Sequence, residues 1–289
     1  MYVSGFTIVK NAVAADYPIQ EAIKSILPLV DEMIVSIGDC SDNTLEHIQE
    51  INSPKIKIVH STWDPKLREG GLVLSEETNK ALKHINPKAD WCFYIQADEC
   101  VHEKYHDTIK MAMENNLERS EIMGLVFNYV HFYGNYNYVA DSRKWYRREV
   151  RIIRNNANIQ SYKDAQGFRI NGQKIPSVLI EAEIFHYGWV KHPEKQMAKQ
   201  IQARKLWHDD NFIKEKVATN EVFDYSQIDS LKPFVGTHPM VMKPRISKID
   251  WNFTYNIKNK KLSLKNKILF WIEKNCGWRI GEFKNYTLP

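Results

Sequence analysis

The stretch that decides the fold is Trp91-Cys-Phe-Tyr-Ile-Gln-Ala-Asp-Glu-Cys100, a short apolar run that ends in two adjacent acids. Residues 91–95 are rich in aromatic and branched side chains, which predicts a buried strand. Asp98 and Glu99 follow at its carboxyl end, where open α/β sheets bind their ligands. Carboxylate oxygens there suit a hard divalent ion such as Mg²⁺ or Mn²⁺, which usually brings phosphates with it. Alternatively, the two acids simply begin the next helix, because acids favour a helix N-terminus.

The first hundred residues alternate strand patterns with helix patterns. The predicted strands are 6–9, 33–37, 55–60 and 91–95. The predicted helices between them are 17–29, 45–51 and 72–85. This alternation favours a parallel sheet with helices on both faces, and it brings Asn11, Asp39, Asp42 and Asp98 to one edge of that sheet. No Gly-x-Gly-x-x-Gly follows the first strand and no Gly-Lys-Ser/Thr occurs, which argues against a dinucleotide fold and a P-loop NTPase.

Composition indicates a globular protein with a mildly basic surface. The 289 residues are 43% hydrophobic and 26% charged, with a net charge of +5 and a pI near 8.8. Nucleotide phosphates or an anionic membrane surface suit this balance. The positive excess is too small for a dedicated nucleic-acid binder, so we expect no nucleic-acid partner.

The cysteines and the chain start bear on the cellular compartment. Cys40, Cys92, Cys100 and Cys276 form no Cys-x-x-Cys pair and have no histidine cluster beside them, which argues against zinc and fits a reducing compartment. The first residues lack a signal-peptide pattern, and no apolar run is long enough to span a membrane. We therefore expect a cytoplasmic protein, located at the inner face of the membrane if its tail contacts lipid.

The second half of the chain has a different character. Residues 132–138 are dense in aromatic and amide side chains, as in many sugar sites and equally in ordinary hairpins. Turn signals after residue 230 predict a main domain over 1–230 and a C-terminal extension over 231–289. The tail is basic over 258–267 and then apolar over 268–272, an order typical of a surface that contacts anionic lipid and equally of a packing helix.

Several of these stretches, in this order, resemble a family 2 glycosyltransferase of the inverting GT-A class over most of the chain. The resemblance implies an α/β fold with a Rossmann-like mixed sheet, flanking helices and a small C-terminal extension. Residues 6–11 resemble the first strand, whose end meets the nucleotide, which implies donor contacts from Val9 and Asn11. Residues 31–44 resemble the second strand and its Gly-Ser-Thr-Asp-Gly-Thr turn. Asp42 matches the later acid of that turn, and Asp39 is the nearest substitute for the earlier one.

The resemblance also implies a metal site. Gln96-Ala-Asp98-Glu99 resembles the Asp-x-Asp motif with Gln96 in place of the first acid, and Asn79 lies where the family often has a donor-binding Asn. His186-Tyr-Gly188 resembles the segment whose histidine closes the metal site. The implied ligands of Mn²⁺ or Mg²⁺ are therefore Asp98 and His186, although a histidine between Phe185 and Tyr187 is also typical of a protein core.

Two further roles follow from the chemistry of inversion. Inversion needs a general base on the acceptor hydroxyl, opposite the leaving group. The resemblance implies a carboxylate beyond the metal strand; Asp164 is our candidate, and Glu99 is the second. An Asp in a turn before Gly167 also commonly caps its own backbone. Trp63, in a loop on the ligand side of the sheet, is placed either to stack on the donor base or to anchor its loop.

These expectations combine into one functional hypothesis with two alternatives. The leading hypothesis is an inverting, metal-dependent glycosyltransferase of the hexosyltransferase type. It would move a sugar from a nucleotide-sugar donor to a glycan or lipid-linked glycan acceptor in surface polysaccharide synthesis. A nucleotidyltransferase would need a glycine-rich first loop, which residues 10–15 lack. The remaining alternative is a non-catalytic nucleotide- or glycan-binding protein with a degraded transferase site.

Overall fold

The computed structural model of the protein describes residues 1–67, 69–205, 222–258 and 260–289. Within these ranges the chain forms one mixed sheet of 13 strands, flanked by helices. The strands are β1 (Val3–Val9), β2 (Glu32–Ile37), β3 (Ile56–His60), β4 (Trp91–Tyr94), β5 (Glu99–Val101), β6 (Gly124–Tyr133), β7 (Asn135–Ala140), β8 (Arg148–Arg154), β9 (Ile159–Tyr162), β10 (Gly167–Ile170), β11 (Gln173–Trp189), β12 (Leu231–Pro233) and β13 (Tyr286–Thr287).

The described helices are α1 (Ile19–Ile26), α2 (Thr44–Gln49), α3 (Leu72–Leu82), α4 (His106–Asn115), α5 (Pro193–Lys205), α6 (Lys243–Ile246) and α7 (Leu264–Cys276). Short 3-10 turns occur at Leu27–Leu29, Glu69–Gly71, Glu103–Tyr105, Tyr225–Gln227 and Met240–Met242.

The sheet combines a parallel half and a largely antiparallel half. Its main path runs β3-β2-β1-β4-β8-β6-β11-β10-β9. Strands β1 to β4 are parallel, β8 lies antiparallel between β4 and β6, and β6 pairs in parallel with β11. The predicted fold class, an α/β fold with a mixed sheet and flanking helices, is confirmed.

Three strands of the parallel half are buried on both faces. Every residue of β1, β2 and β4 is buried. Continuous apolar runs of this kind need helices on both sides. One face packs against α1 and α4, through Ile23 and Ile109 among others, and the other packs against α3 through Val73. The sequence predicted these strands to within three residues at each end.

The C-terminal segment returns to the sheet. Strand β12, which begins at the predicted boundary, pairs with β7, and β13 pairs with β11. Within α7, Glu273 accepts a hydrogen bond from Arg143 Nη1 at 2.5 Å. In the described part of the chain, no helix combines the length and the apolar character needed to cross a bilayer.

Candidate functional site

A cavity of about 490 Å³ opens at the carboxyl ends of β1 and β4. Its position follows from topology, because parallel strands present their ends and following loops at one edge. Six of the residues predicted from the sequence line it, namely Val9, Asn11, Trp63, Gln96, Asp98 and Asp164. Tyr17 and Tyr94 add aromatic surface to the same wall. The volume lies in the range of small-molecule sites, which are about 300–1,000 Å³.

Asp98 carries the negative charge of this cavity. It is buried, and its Oδ2 accepts a hydrogen bond at 3.0 Å from Lys199 Nζ on α5. Burial alone would raise the pKa of Asp98, but the Lys199 ammonium outweighs burial and holds that pKa well below the usual range. The carboxylate is therefore ionised at neutral pH, as a metal ligand must be.

A chain of two histidines fixes the protonation of His186. Nε2 of His131 lies 2.7 Å from the carbonyl oxygen of Tyr146, so this nitrogen carries the proton. Burial lowers the pKa of His131 well below its ordinary value and keeps the ring neutral, so its Nδ1 is an acceptor. Nδ1 of His186 lies 3.2 Å from that nitrogen and must donate to it. Burial also lowers the pKa of His186, which leaves Nε2 of this neutral ring with a free lone pair.

Gly188 keeps a space open between the lone pair and the carboxylate. Nε2 of His186 and Oδ2 of Asp98 lie 3.7 Å apart. A Cβ added to Gly188 would lie 2.5 Å from Asp98 Oδ2 and 2.8 Å from His186 Nε2. A cation bound to both atoms would occupy this region, since first-row metals and Mg²⁺ sit about 2.0–2.2 Å from such ligands. The predicted pair thus converges as two metal ligands would, and the described residues contain no cluster of three or more His, Cys, Asp or Glu ligands.

Asp164 lies in a tight turn between β9 and β10 and lines two cavities. Its neighbours Lys163 and Ala165 have φ values of 53° and 59°, which are uncommon for residues other than glycine. Asp164 and Gln96 line both the first cavity and a second one of about 690 Å³. Burial raises the pKa of Asp164, which makes the carboxylate a better proton acceptor than a solvated one.

Glu99 is held by the core instead of facing the cavity. Its carboxylate is fully buried and accepts hydrogen bonds from Arg151 Nε at 2.9 Å and Arg151 Nη2 at 2.8 Å. The Tyr129 hydroxyl donates at 2.8 Å and the backbone N–H of Gln96 at 3.1 Å. This geometry argues against the predicted second role of Glu99 as a base, because both oxygens are already engaged by these donors.

Three other predicted donor contacts serve the loops around the cavity. Asp39 accepts from Lys10 Nζ at 2.8 Å, and this hydrogen bond lowers the pKa of Asp39. Asp42 accepts from the backbone N–H groups of Ala14 at 2.8 Å and Thr44 at 3.1 Å. Asn79 on α3 accepts from the backbone N–H of Ser161 at 2.7 Å. These residues position the loops, and the structure does not bring them to the cavity surface.

The loops after the first strands also shape one side of the cavity. Asn11 adopts a φ of 51°, and its Oδ1 accepts from the backbone N–H of Ser41 at 2.8 Å. Trp63 is buried, and its indole Nε1 has no hydrogen-bond partner among the described residues. A Cβ on Gly38 would lie 2.6 Å from that nitrogen, so Gly38 gives the indole its place. Trp63 is therefore buried in its loop and also lines the cavity, and its stacking on a donor base stays a prediction.

Sequence reasoning missed four residues of this region. Lys199 and Gly188 reach Asp98 from α5 and from the end of β11, far away in sequence. Arg151 ties Glu99 to the Asp164 turn, because its Nη1 also donates to the Gln166 carbonyl at 3.0 Å. Glu149 lines the second cavity, and burial raises its pKa to about 7. Of these four residues, only Gly188 had a sequence signal, because it belongs to the motif His186-Tyr-Gly188.

Comparisons with known proteins give partial likenesses only. No protein-family model matches the chain, and no curated protein matches its sequence. The chain is similar to a solved structure of residues 1–349 of S. aureus TarS in complex with UDP. That match has 18% identity and a TM-score of 0.35, and it covers 45% of this chain and 36% of the other. A second TarS 1–349 structure matches with 13% identity and a TM-score of 0.39, over 70% of this chain and 64% of the other.

A further similar structure is glucosyl-3-phosphoglycerate synthase from Mycobacterium tuberculosis, in complex with Mn²⁺, UDP and phosphoglyceric acid. The identity is 19% and the TM-score is 0.32, over 45% of this chain and 43% of the other. The aligned region thus spans less than two thirds of each of these proteins. The fold class follows from the sheet topology itself, since these likenesses are partial.

Proposed function

We propose that the protein is an inverting glycosyltransferase of the hexosyltransferase type, which moves a sugar from a nucleotide-sugar donor to a glycan or lipid-linked glycan acceptor. One observation carries the proposal: the Asp98–His186 pair lies beside a cavity of about 490 Å³, and Asp164 lies where that cavity meets a second one of about 690 Å³. Two adjoining cavities with a carboxylate between them suit two substrates that react with each other.

The first cavity suits the donor. Trp63 and Tyr17 offer aromatic surface for a base or sugar ring, and Val9 and Asn11 lie at the end of β1. The ionised Asp98 and the neutral His186 would hold a divalent ion, Mn²⁺ or Mg²⁺, with phosphate oxygens completing its coordination. When bound, such an ion neutralises the charge that develops on the leaving diphosphate.

The second cavity suits the acceptor, with Asp164 as the base. The acceptor oxygen attacks the anomeric carbon, its proton moves to the Asp164 carboxylate, and the bond between that carbon and the diphosphate oxygen breaks. Nucleoside diphosphate leaves, and the sugar is joined to the acceptor with inverted configuration. Burial of Asp164 supports this role, because a base works best with a pKa nearer the operating pH.

The activity assay compares Asp164→Asn with the wild type. Both proteins are incubated with UDP-, GDP-, CMP- and dTDP-sugars, Mn²⁺ and a panel of glycan acceptors, and nucleotide release is measured. We expect one donor to be consumed by the wild type, and turnover to fall by about 10²–10⁴-fold in the variant with unchanged nucleotide affinity. Equal turnover in both proteins would remove Asp164 as the base.

A non-catalytic binding protein is the second candidate. Two observations favour it: Gln96 stands where the motif has an acid, and its Nε2 donates to the Ala165 carbonyl at 3.4 Å. Binding of one sugar nucleotide without transfer or hydrolysis, across the whole acceptor panel, would support this candidate and refute the transferase.

We further propose that α7 places the enzyme against an anionic membrane, where a lipid-linked acceptor of surface polysaccharide synthesis would be found. Leu264, Ile268 and Trp271 are 79%, 61% and 64% exposed. At about 100° per residue they form one stripe along the helix. The exposed Lys265 on one side, and Lys267 and Lys274 on the other, flank this stripe. An apolar stripe with a tryptophan and flanking lysines matches a helix lying in the lipid interface.

Vesicle sedimentation tests the membrane contact. We expect the protein to bind vesicles of phosphatidylcholine with phosphatidylserine, and to bind pure phosphatidylcholine less. Ile268→Glu with Trp271→Glu should abolish binding, while Val235→Glu, at an exposed apolar residue outside the helix, should not. No binding by the wild type, together with a dimer that the double variant loses, would assign the stripe to a second copy of the chain.

A further inference from the structure

Lys199 is a largely buried cation that lies beside Asp98. Its side chain is only 12% exposed, and its ammonium donates to Asp98 Oδ2 at 3.0 Å and to the Gly188 carbonyl at 2.8 Å. It also lies 5.0 Å from the centroid of the Tyr17 ring, within reach of a cation–π contact. The lysine therefore reaches the metal-ligating oxygen itself.

Helix α5 places Lys199 beside the first cavity. Gln202 and Ala203, three and four residues later on α5, line the cavity that Asp98 and Tyr17 also line. Residues with this spacing share one helix face. The ammonium is thus placed at the cavity wall, next to the region that Gly188 keeps open.

We propose that Lys199 is an internal counter-ion that competes with the divalent cation for Asp98 and, when displaced, binds the diphosphate of the donor. The inference rests on the proposed function, to which the cation site at Asp98 and the diphosphate contact both belong. A divalent ion and an ammonium repel each other, and both need the same carboxylate oxygen. Binding of the ion therefore removes the anionic partner of Lys199.

A displaced ammonium needs a new anion nearby. The Gly188 carbonyl and the Tyr17 ring supply no charge, and a buried charge without a partner is costly. Asp16, a nearby acid, is already paired with Arg245 through a short ion pair. A diphosphate that completes the coordination of an ion at Asp98 and His186 would bring two phosphates to the same wall. Lysine is well suited to this exchange, because its point charge sits on a flexible stem.

The test measures binding instead of turnover. Lys199→Met removes the charge and keeps most of the apolar stem; Lys195→Met, at an exposed residue one turn earlier on the same helix, is the control. Free Mn²⁺ is titrated by electron paramagnetic resonance without nucleotide. UDP and GDP are then titrated by calorimetry in saturating Mn²⁺.

We expect opposite changes in the two affinities. Lys199→Met should bind Mn²⁺ about tenfold more tightly than the wild type, and should bind the nucleoside diphosphate about tenfold more weakly. Lys195→Met should match the wild type in both. If Lys199→Met does not fold, Lys199→Gln keeps a hydrogen-bond donor without the charge and takes its place.

The outcomes separate this inference from the proposed function. An unchanged Mn²⁺ affinity overturns the competition, and an unchanged nucleotide affinity overturns the diphosphate contact. If the wild type binds neither UDP nor GDP, dTDP is titrated as well. A wild-type protein that binds none of the three nucleoside diphosphates refutes the proposed function, while the two Mn²⁺ titrations still decide the competition.

Discussion

Two adjacent acids follow β4 and have opposite surroundings. Asp98, in the loop between β4 and β5, lies on the cleft side, which faces the first cavity, and Glu99, the first residue of β5, lies on the core side. Asp98 faces the cavity with one lysine and one histidine, and Gly188 leaves a space beside it. Glu99 faces the core, where Arg151 donates hydrogen bonds to both of its oxygens and Tyr129 donates a further one. Both residues are buried, so burial alone does not distinguish them.

The difference lies in whether the partners can be exchanged. Glu99 and Arg151 form a bidentate pair in which both side chains are fully buried, and Arg151 also reaches the Gln166 carbonyl. This pair holds the end of the loop between β4 and β5 in a fixed position relative to the turn that contains Asp164. Asp98 has a flexible lysine and an imidazole lone pair as neighbours, both of which a ligand can rearrange. A binding site requires rigid support next to a carboxylate whose partners a ligand can replace.

The largest expected effect is on the core side. Arg151→Met leaves Glu99 buried without its charged partner, so the free energy of unfolding should fall by about 3–5 kcal/mol. Urea denaturation measures this change. The control is Arg119→Met, which breaks the exposed pair with Glu121 at 3.0 Å and should cost less than about 1 kcal/mol. Equal losses in the two variants would show that the buried pair has no special structural role.

On the cleft side, Gly188→Ala should act on binding more than on stability. The added methyl group would fill the space between Asp98 and His186, so Mn²⁺ affinity should fall at least about tenfold, or roughly 1.4 kcal/mol. Gly172→Ala is the control, since its Cβ would meet nothing within 4 Å and only its φ of 76° is strained. Unchanged Mn²⁺ affinity in Gly188→Ala would move the metal away from this pair.

Glu149 is buried and lines the second cavity, and it should make the free energy of unfolding depend on pH. Its carboxylate accepts from Asn285 Nδ2 at 3.0 and 3.2 Å, and burial raises its pKa to about 7 in the folded state. The folded protein therefore holds this proton more tightly than the unfolded chain. The contribution of the Glu149 proton to the free energy of unfolding is fully present below the ordinary pKa of a carboxyl group. This contribution is lost as pH rises through about 7. Between pH 6 and 8 the loss should be about 1 kcal/mol, and Glu149→Gln should remove this dependence.

The smallest effect belongs to a loop acid that sequence reasoning had assigned to the donor. Asp42→Ala removes acceptors for the N–H groups of Ala14 and Thr44, which should cost about 1 kcal/mol or less. Nucleotide affinity should change by less than about twofold, because Asp42 does not line the cavity. A large loss of nucleotide affinity with intact stability would return Asp42 to the binding site.

Sequence alone predicted the parts of the site that follow one strand. Val9 ends β1 and Asn11 follows it, while Gln96 and Asp98 follow β4. In a parallel sheet those strand ends must share an edge. The apolar runs of β1, β2 and β4 were readable for the same reason, since burial on both faces leaves a continuous pattern. Local rules thus predicted most of the parallel half.

Residues whose role depends on distant partners could not be assigned in this way. Glu99 follows Asp98 directly, yet only Arg151, 52 positions away, turns it into a core ion pair. Lys199 looks like any helix lysine until α5 packs over Asp98, 101 positions away. The proton on His186 depends on His131 and on the Tyr146 carbonyl, which have no sequence pattern in common.

The most direct test of the central claim is a calorimetric titration of sugar nucleotides into the wild type, Asp98→Asn and Asp39→Asn, with Mn²⁺ and with EDTA. Asp39 is the matched carboxylate, because it lies two residues after β2 and already pairs with Lys10. We predict that one sugar nucleotide binds the wild type and Asp39→Asn in Mn²⁺, and that EDTA or Asp98→Asn abolishes binding. Binding that survives in Asp98→Asn, or a folded wild type that binds no sugar nucleotide at all, would contradict a donor site on the cleft side of this loop.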